Sequence, residues 1–292
     1  GAQIMMNEDG SFTLMVGGVD IGTGADTAFV QIAAEVLGCE ETDIVIKTSD
    51  TDNTPFDYGA YASSTTYISG RAVKKAAEDA KGKILEWASR MLEEPADVLD
   101  TEDGAVVSEE TGDSVTLEEI GYESVYGDET REHILGQGTH STDESPPPFA
   151  AQFADVTVDE ETGEFEVNKL AVAVDCGVAI NPGMAEGQVE GANHMSYEMA
   201  TNEGITFDDQ GRAEVADYDD YEFPTAAASP PIESILVETH EPTGPFGAKS
   251  VAEVPTNTVP PALSNAVRDA VGVRITEMPI TAGKIKAKLD EE

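Results

Sequence analysis

Apolar residues in this chain recur in two rhythms. Residues 12–19, FTLMVGGV, follow an Asp9-Gly10 turn and read as a strand. Phe29, Ile32, Ala33, Val36 and Leu37 then keep helical spacing, which predicts a helix over residues 28–37 ended by Gly38. A short strand is expected at Ile44–Lys47, followed by an irregular, turn-rich loop over residues 50–59. Ala72, Val73, Ala76, Ala80, Ile84, Trp87 and Met91 recur at threes and fours. They predict a long helix over residues 69–92, with Trp87 in the core. Patterning is weakest over residues 93–150, which show a strand-like piece at 105–107, a helical start near Leu117 and a proline run at 146–148. Residues 153–159 and 165–175 alternate as a hairpin joined at Thr162-Gly163. A helix starting near Met184, a strand over 235–239 and a last helix over 262–271 complete the series. This mixture reads as α+β. The proline run divides it into a first lobe, residues 1–145, and a second lobe, residues 149–292.

Charge narrows the range of partners. Asp and Glu number 58 against 16 Lys and Arg, for a formal charge of −42. Such a field repels nucleic acid and anionic membrane. Hydrophobic residues still make up 40% and the acid is spread evenly, so the reading is a folded protein rather than a disordered tail. A salt-rich cytoplasm is the expected setting, since screening there shortens to roughly 3 Å at 1 M. No apolar run approaches the ~20 residues of a membrane span. Cys39 and Cys176 stand far apart and read as small buried residues; His133 and His140 read as surface histidines without metal spacing, and His194 as an interior one. The chain starts at Gly1, already close to a strand, which reads as a fragment or a processed piece.

Four stretches carry candidate chemistry. Residues 244–255, GPFGAKSVAEVP, form a constrained loop with one cation, Lys249, one carboxylate, Glu253, and small residues that admit a bulky ligand. Asp20-Ile-Gly-Thr-Gly feeds a helix N-terminus, a place where free amides favour an anion. Residues 58–66 set small residues and hydroxyls between two tyrosines; they suit a phosphate-bearing ligand or cap the next helix. The fourth is DCGVAINP at 175–182 with EGQVEG at 186–191.

Together, and in order, these stretches resemble the molybdenum-binding large subunit of the xanthine dehydrogenase and aldehyde oxidase family, over essentially the whole chain. GPFGAKSVAE resembles its Gly-Ala-Lys-Gly-x-Gly-Glu loop, with Ser250 and Ala252 replacing two glycines. Asp217 to residue 224 resembles its Tyr-x-(Ile/Phe)-Pro segment. The resemblance implies an α+β C-terminal molybdopterin-binding domain with two α/β lobes. It implies Glu253 as catalytic base of a hydroxylation that draws its oxygen from water. It places Gly22, Thr23, Gly24, Ala62, Ser63, Ser64, Thr65, Gln188 and Lys249 at the cofactor. Thr23 stands where the family has glutamine, which leaves backbone contacts at Gly22 and Gly24. The metal is held by the pterin, with Gln188 and Glu253 nearby, and the pterin occurs with or without a cytosine dinucleotide. The wording of the Glu253 loop looks most like the purine-hydroxylating branch; carbon monoxide and hydroxybenzoyl-coenzyme A members carry similar loops. Partners implied are a 2Fe-2S small subunit, an FAD subunit and the N-terminal half of the large subunit. The alternatives are a truncated, non-catalytic chain that needs a partner and a nucleotide binder without redox chemistry.

Overall fold

The computed structural model describes residues 1–127, 131–215, 217, 218, 221 and 225–291. It forms two compact units: Gly1–Pro146 with His240–Ser250, and Pro147–Thr239 with the chain from Val251 onward. The stretch at 244–255, expected wholly on the second lobe, is thus divided between the units after Ser250. Of the segment from Asp217 to residue 224, residues 219, 220 and 222–224 lie outside the described residues.

In the first unit, β1 (Ala2–Met6) and β2 (Phe12–Val16) form a hairpin, α1 (Ala25–Leu37) leads to β3 (Ile44–Lys47), and α2 (Thr65–Leu92) follows. Then come a three-stranded sheet of β4 (Leu99–Glu102), β5 (Ala105–Ser108) and β6 (Ser114–Thr116), helix α3 (Leu117–Tyr126) and strand β7 (Leu135–Gly138). The larger sheet runs β3-β2-β1-β7. Alternation puts Ile4, Phe12, Leu14 and Val16 on its buried face. Gly38 takes φ 64° and ends α1, as the pattern predicts. Thr116 and Glu119 form a capping box at the start of α3.

Helix α2 starts at Thr65, a turn earlier than predicted, because Thr65 and Thr66 occupy a first turn where their weak helix propensity matters little. Trp87 is buried, and the Arg90 guanidinium lies over its ring at 4.0 Å. Strand β7 has no counterpart in the sequence pattern, since LGQG is a poor strand by composition. Its glycines serve α2: a Cβ on Gly136 would stand 2.1 Å from the Ala76 carbonyl oxygen, and one on Gly138 2.1 Å from that of Ala72.

In the second unit, β8 (Phe149–Val158) and β9 (Phe165–Asp175) form the expected hairpin. Helix α4 (Pro182–Thr201) crosses over to β10 (Ile232–Val237), which pairs parallel with β9. Helices α5 (Val259–Val271) and α6 (Ala282–Leu289) follow. The sheet runs β10-β9-β8. One core gathers Leu170, Val259, Leu263, Val267, Ile280 and Ile285. The helix expected to be last is therefore followed by another. Helix α6 buries only Ile285, too little for an apolar period to reveal it.

Two single-residue expectations change. His140 is half-buried rather than an ordinary surface histidine. Burial first, then Lys75 and Arg71, hold its pKa below the usual value. Cys176 is buried, whereas Cys39 is half-buried; burial, then Asp43 and Glu40, push its thiol up to about 12, which keeps it protonated and unreactive.

Candidate functional site

The glycine turn before α1 is already occupied by a side chain of the protein. Asp20 Oδ1 accepts from the amides of Gly22 at 2.7 Å, Thr23 at 2.9 Å and Gly24 at 3.3 Å, and Oδ2 accepts from Asp26 at 3.3 Å. Burial alone would raise the Asp20 pKa, but these four amide bonds outweigh it and hold the pKa below the usual value. Asp26 adds a second carboxylate, raised by burial and by Asp20 despite a bond from Thr48. Two carboxylates at one helix start disfavour an incoming phosphate. Gly22 nevertheless remains exposed, with open space where a Cβ would stand, so a ligand can come close to its backbone.

The cap carries its own prediction. Asp20→Ala is expected to cost about 1 kcal/mol at neutral pH. Because the folded-state pKa is lowered, this stabilisation is complete above the unfolded value near 3.9 and is lost as pH falls through the folded one. Urea unfolding at neutral and acid pH should therefore show wild type and variant converging only in acid.

The start of α2 is built differently. The Ser64 amide donates to the Tyr61 carbonyl at 3.1 Å across a turn in which Ala62 and Ser63 take φ 51° and 52°. Neither residue is glycine, so each costs roughly 1–2 kcal/mol in the left-handed region. Ser64 makes no side-chain cap bond to the helix, and Ser63, Ser64 and Thr65 are half-buried at its N-terminus. Arg71, Lys74 and Lys75 lie about two to three turns further on, with Lys74 paired to Glu78 and Lys75 donating to the Thr139 carbonyl. Two left-handed non-glycine residues thus lead directly into the helix.

Within the same unit, residues 240–250 are strapped to α2. Tyr67 Oη and Thr243 Oγ1 lie 2.7 Å apart, and Lys74 Nζ sits 4.2 Å from the centroid of the Phe246 ring. Gly70 packs so near Pro245 and Ile32 that a Cβ would meet both within 3.3 Å. Phe246 is half-buried at φ 51°, another left-handed non-glycine. The strap leaves Lys249 buried. Glu241 is held below its usual pKa first by bonds from Thr243 and then by the charges of Lys249 and His240.

In the second unit, Asn181 caps α4 by accepting from the Met184 amide at 3.0 Å. Asp175 at the end of β9 accepts from the Gly177 amide at 3.1 Å and from Thr239 Oγ1 at 2.7 Å, which joins the ends of the two parallel strands. Gln188 is half-buried in the second turn of α4. Glu253 is exposed, between two anchors. Val251 packs on the Val172, Val174 and Val189 cluster, while Ser196 Oγ donates to the Thr256 carbonyl at 2.5 Å. Val189, which follows Gln188, and Val251, two residues before Glu253, share this cluster. Further along α4, His194 Nε2 lies 2.6 Å from the buried Glu198, and Nδ1 lies 3.1 Å from Ser229 Oγ. Among the described residues, no three His, Cys, Asp or Glu side chains gather as metal ligands.

Residues 1–230 match the family model of the molybdopterin cofactor-binding domain. The chain belongs to this family, within the large subunits of xanthine dehydrogenase type. The domain is 36% identical over 289 residues to the probable hypoxanthine oxidase XdhD of Escherichia coli, covering 99% of this chain and 30% of that protein. It is 32% identical to the carbon monoxide dehydrogenase large chain of Hydrogenophaga pseudoflava, over 99% of this chain and 37% of that one. Quinoline 2-oxidoreductase from Pseudomonas putida 86 superposes with TM-score 0.93 at 28% identity, over 100% of this chain and 38% of that one. These relatives are oxidoreductases of the molybdenum type. The domain spans about a third of the length of the relatives it matches.

Several residues of this molybdopterin cofactor-binding domain were not legible beforehand. The Tyr67–Thr243 clasp pairs positions 176 apart in sequence, and the Ser196–Thr256 bond pairs positions 60 apart. Lys74 and Lys75 were visible as residues, yet their partners, the Phe246 ring and the Thr139 carbonyl, come from far along the chain.

Proposed function

We propose that this chain is the molybdopterin-binding portion of a molybdenum-dependent hydroxylase large subunit, which oxidatively hydroxylates a purine, another N-heterocycle or an aldehyde with oxygen from water. The observation that carries the proposal is the strained Tyr61–Ser64 turn, which sets Ser63, Ser64 and Thr65 at the N-terminus of α2. Its hydroxyls and nearby cations fit the phosphate of a molybdopterin. The turn before α1 fits one less well, because Asp20 already takes its amides. Gly22, Thr23 and Gly24 are accordingly proposed as a close-approach surface rather than as donors.

When bound, the cofactor supplies the two-electron redox chemistry. The chain's own residues position and move protons. Lys249 and the start of α2 neutralise the anionic groups of the cofactor. Gln188 presents an amide that can donate to an oxygen gaining charge during reaction. Glu253, exposed and anchored on both sides, removes a proton from the water-derived nucleophile as general base. Iron–sulfur and FAD centres on partner subunits would supply onward electron transfer, and the N-terminal half of the large subunit would complete the site. The identity to a probable hypoxanthine oxidase favours a purine. The identity to a carbon monoxide dehydrogenase large chain supports the second reading, a carbon monoxide-converting member.

The test is to purify the chain in high salt, alone and with the upstream large-subunit polypeptide, and to measure molybdenum and pterin per chain. Stoichiometric metal and pterin are expected at least in the combined form. Their absence under both conditions overturns the reading.

A salt-rich cytoplasm is part of the same proposal. With −42 charges and at most 16 cations available for pairing, self-repulsion acts over about 10 Å at 0.1 M but about 3 Å at 1 M. Dialysis into low salt is expected to lower Tm sharply or unfold the chain, and a Tm indifferent to salt would count against it. No helix among the described residues is long and apolar enough to cross a membrane.

A further inference from the structure

The sheet of the second unit has one covered face and one open face. Ala150, Ala154, Val156, Val158, Ile232 and Leu236 pack into the cores beneath it. The alternate residues point the other way. Register aligns Ala151 with Ala173 and Ile235, Phe153 with Ala171 and Glu233, and Phe149 with Asp175 and Val237. Phe153 is 68% exposed, Ile235 46% and Val237 43%. The face is therefore apolar in the middle row and through Phe149, Phe153 and Val237 beside it, with Glu233 and Asp175 as carboxylates in the flanking rows, in a chain whose charge is −42. Its border is polar, with Lys169 paired to Glu233. Contiguous apolar surface with a polar rim marks an interaction site.

The shape of the face limits what it can receive. Ala171 and Ala173 make the central strand low, while Phe153 on β8 and Ile235 and Val237 on β10 stand up on either side. Those outer strands lie two strand spacings apart, roughly 10 Å. A helix is about 10–12 Å across with its side chains, so the trough takes one helix laid along the strands.

We propose that this trough docks an apolar helix face from the large-subunit polypeptide that lies outside this chain. The proposal rests on the large-subunit reading above. The same fold, matched over 99–100% of this chain, makes up only 37–38% of the superposed large subunits, so most of such a subunit remains to cover it. A second copy is the poorer occupant, because it brings another −42 charges to an interface that carries no compensating cations beyond Lys169.

The experiment compares wild type with Phe153→Asp and Ile235→Asp in binding to the tagged upstream polypeptide in high salt. Val45→Asp, at a 61% exposed position in the first unit, is the control. The two face variants should bind roughly 30-fold more weakly or worse, with the control unchanged and all variants melting like wild type. Wild-type affinity in both face variants overturns the proposal, as does a loss confined to self-association. If a face variant melts early, hydroxyl-radical footprinting of the wild-type complex decides: protection of Phe153 supports the trough, and unchanged labelling overturns it. Molybdenum in the complex is read separately. A loaded complex indifferent to the face substitutions sinks the trough alone, whereas no complex and no molybdenum sinks the large-subunit reading with it.

Discussion

Glu253→Gln should lower turnover by roughly 10²–10⁴-fold while bound molybdenum and pterin stay at the wild-type level. That range is what a positioned general base contributes. Glutamine keeps the shape of the side chain and its capacity to accept a hydrogen bond, but it cannot take a proton at neutral pH. The position suits the test, because Val251 in the apolar cluster and Thr256 on Ser196 hold the loop on either side of Glu253, and glutamine keeps the side chain's shape. Removing the charge should therefore leave the local fold intact. Metal analysis and kcat must be measured on the same preparation of the assembled enzyme. Unchanged kcat would place the base elsewhere. Loss of molybdenum together with activity would make Glu253 a holding residue rather than a proton acceptor.

Gly138→Val should destabilise the first unit by about 3 kcal/mol or more, since overpacking of this kind allows little relaxation. A Cβ there stands 2.1 Å from the Ala72 carbonyl oxygen, 2.5 Å from the Ala76 amide nitrogen and 3.0 Å from the Lys75 Cβ. Two of these neighbours are helix backbone, which cannot swing aside as a side chain can. The strand can bend or α2 can lift, and either loosens the helix that carries the Tyr67 clasp and the hydroxyl-lined turn. A fall in Tm of roughly 10 °C is expected. Molybdenum occupancy should fall with it, through the displaced start of α2. A variant with wild-type Tm would show that β7 and α2 are less closely packed than described.

The helices and the long hairpin were legible because burial on one face writes a period into the sequence. Phe29, Ile32, Val36 and Leu37 in α1, and the alternation in β9, follow that rule. Strand β7 was not legible, because its glycines answer to the approach of α2 and carry no apolar period of their own. Helix α6 escaped for a related reason, with one buried residue and three lysines. The division of residues 244–255 between two units was equally hidden. Its loop composition was plain, but the clasp with Tyr67 and the stacking of Lys74 on Phe246 depend on where α2 lies.

The candidate site divides in the same way. Residue types and local turns came from the chain itself: the hydroxyls at 63–65, the single carboxylate at 253, and the Asn181 cap on α4. Local hydrogen bonding needs only neighbours in sequence, so such features survive in any fold that forms the turn. The Asp20 bonds to the turn before α1 are local in the same way, since they reach only two to six residues along the chain. Tertiary structure decided the setting of the α2 start, where Thr243 clasps Tyr67 and Phe246 lies against Lys74. The packing of Val251 on Val189 and its cluster was decided there too, because packing joins residues that the chain keeps far apart.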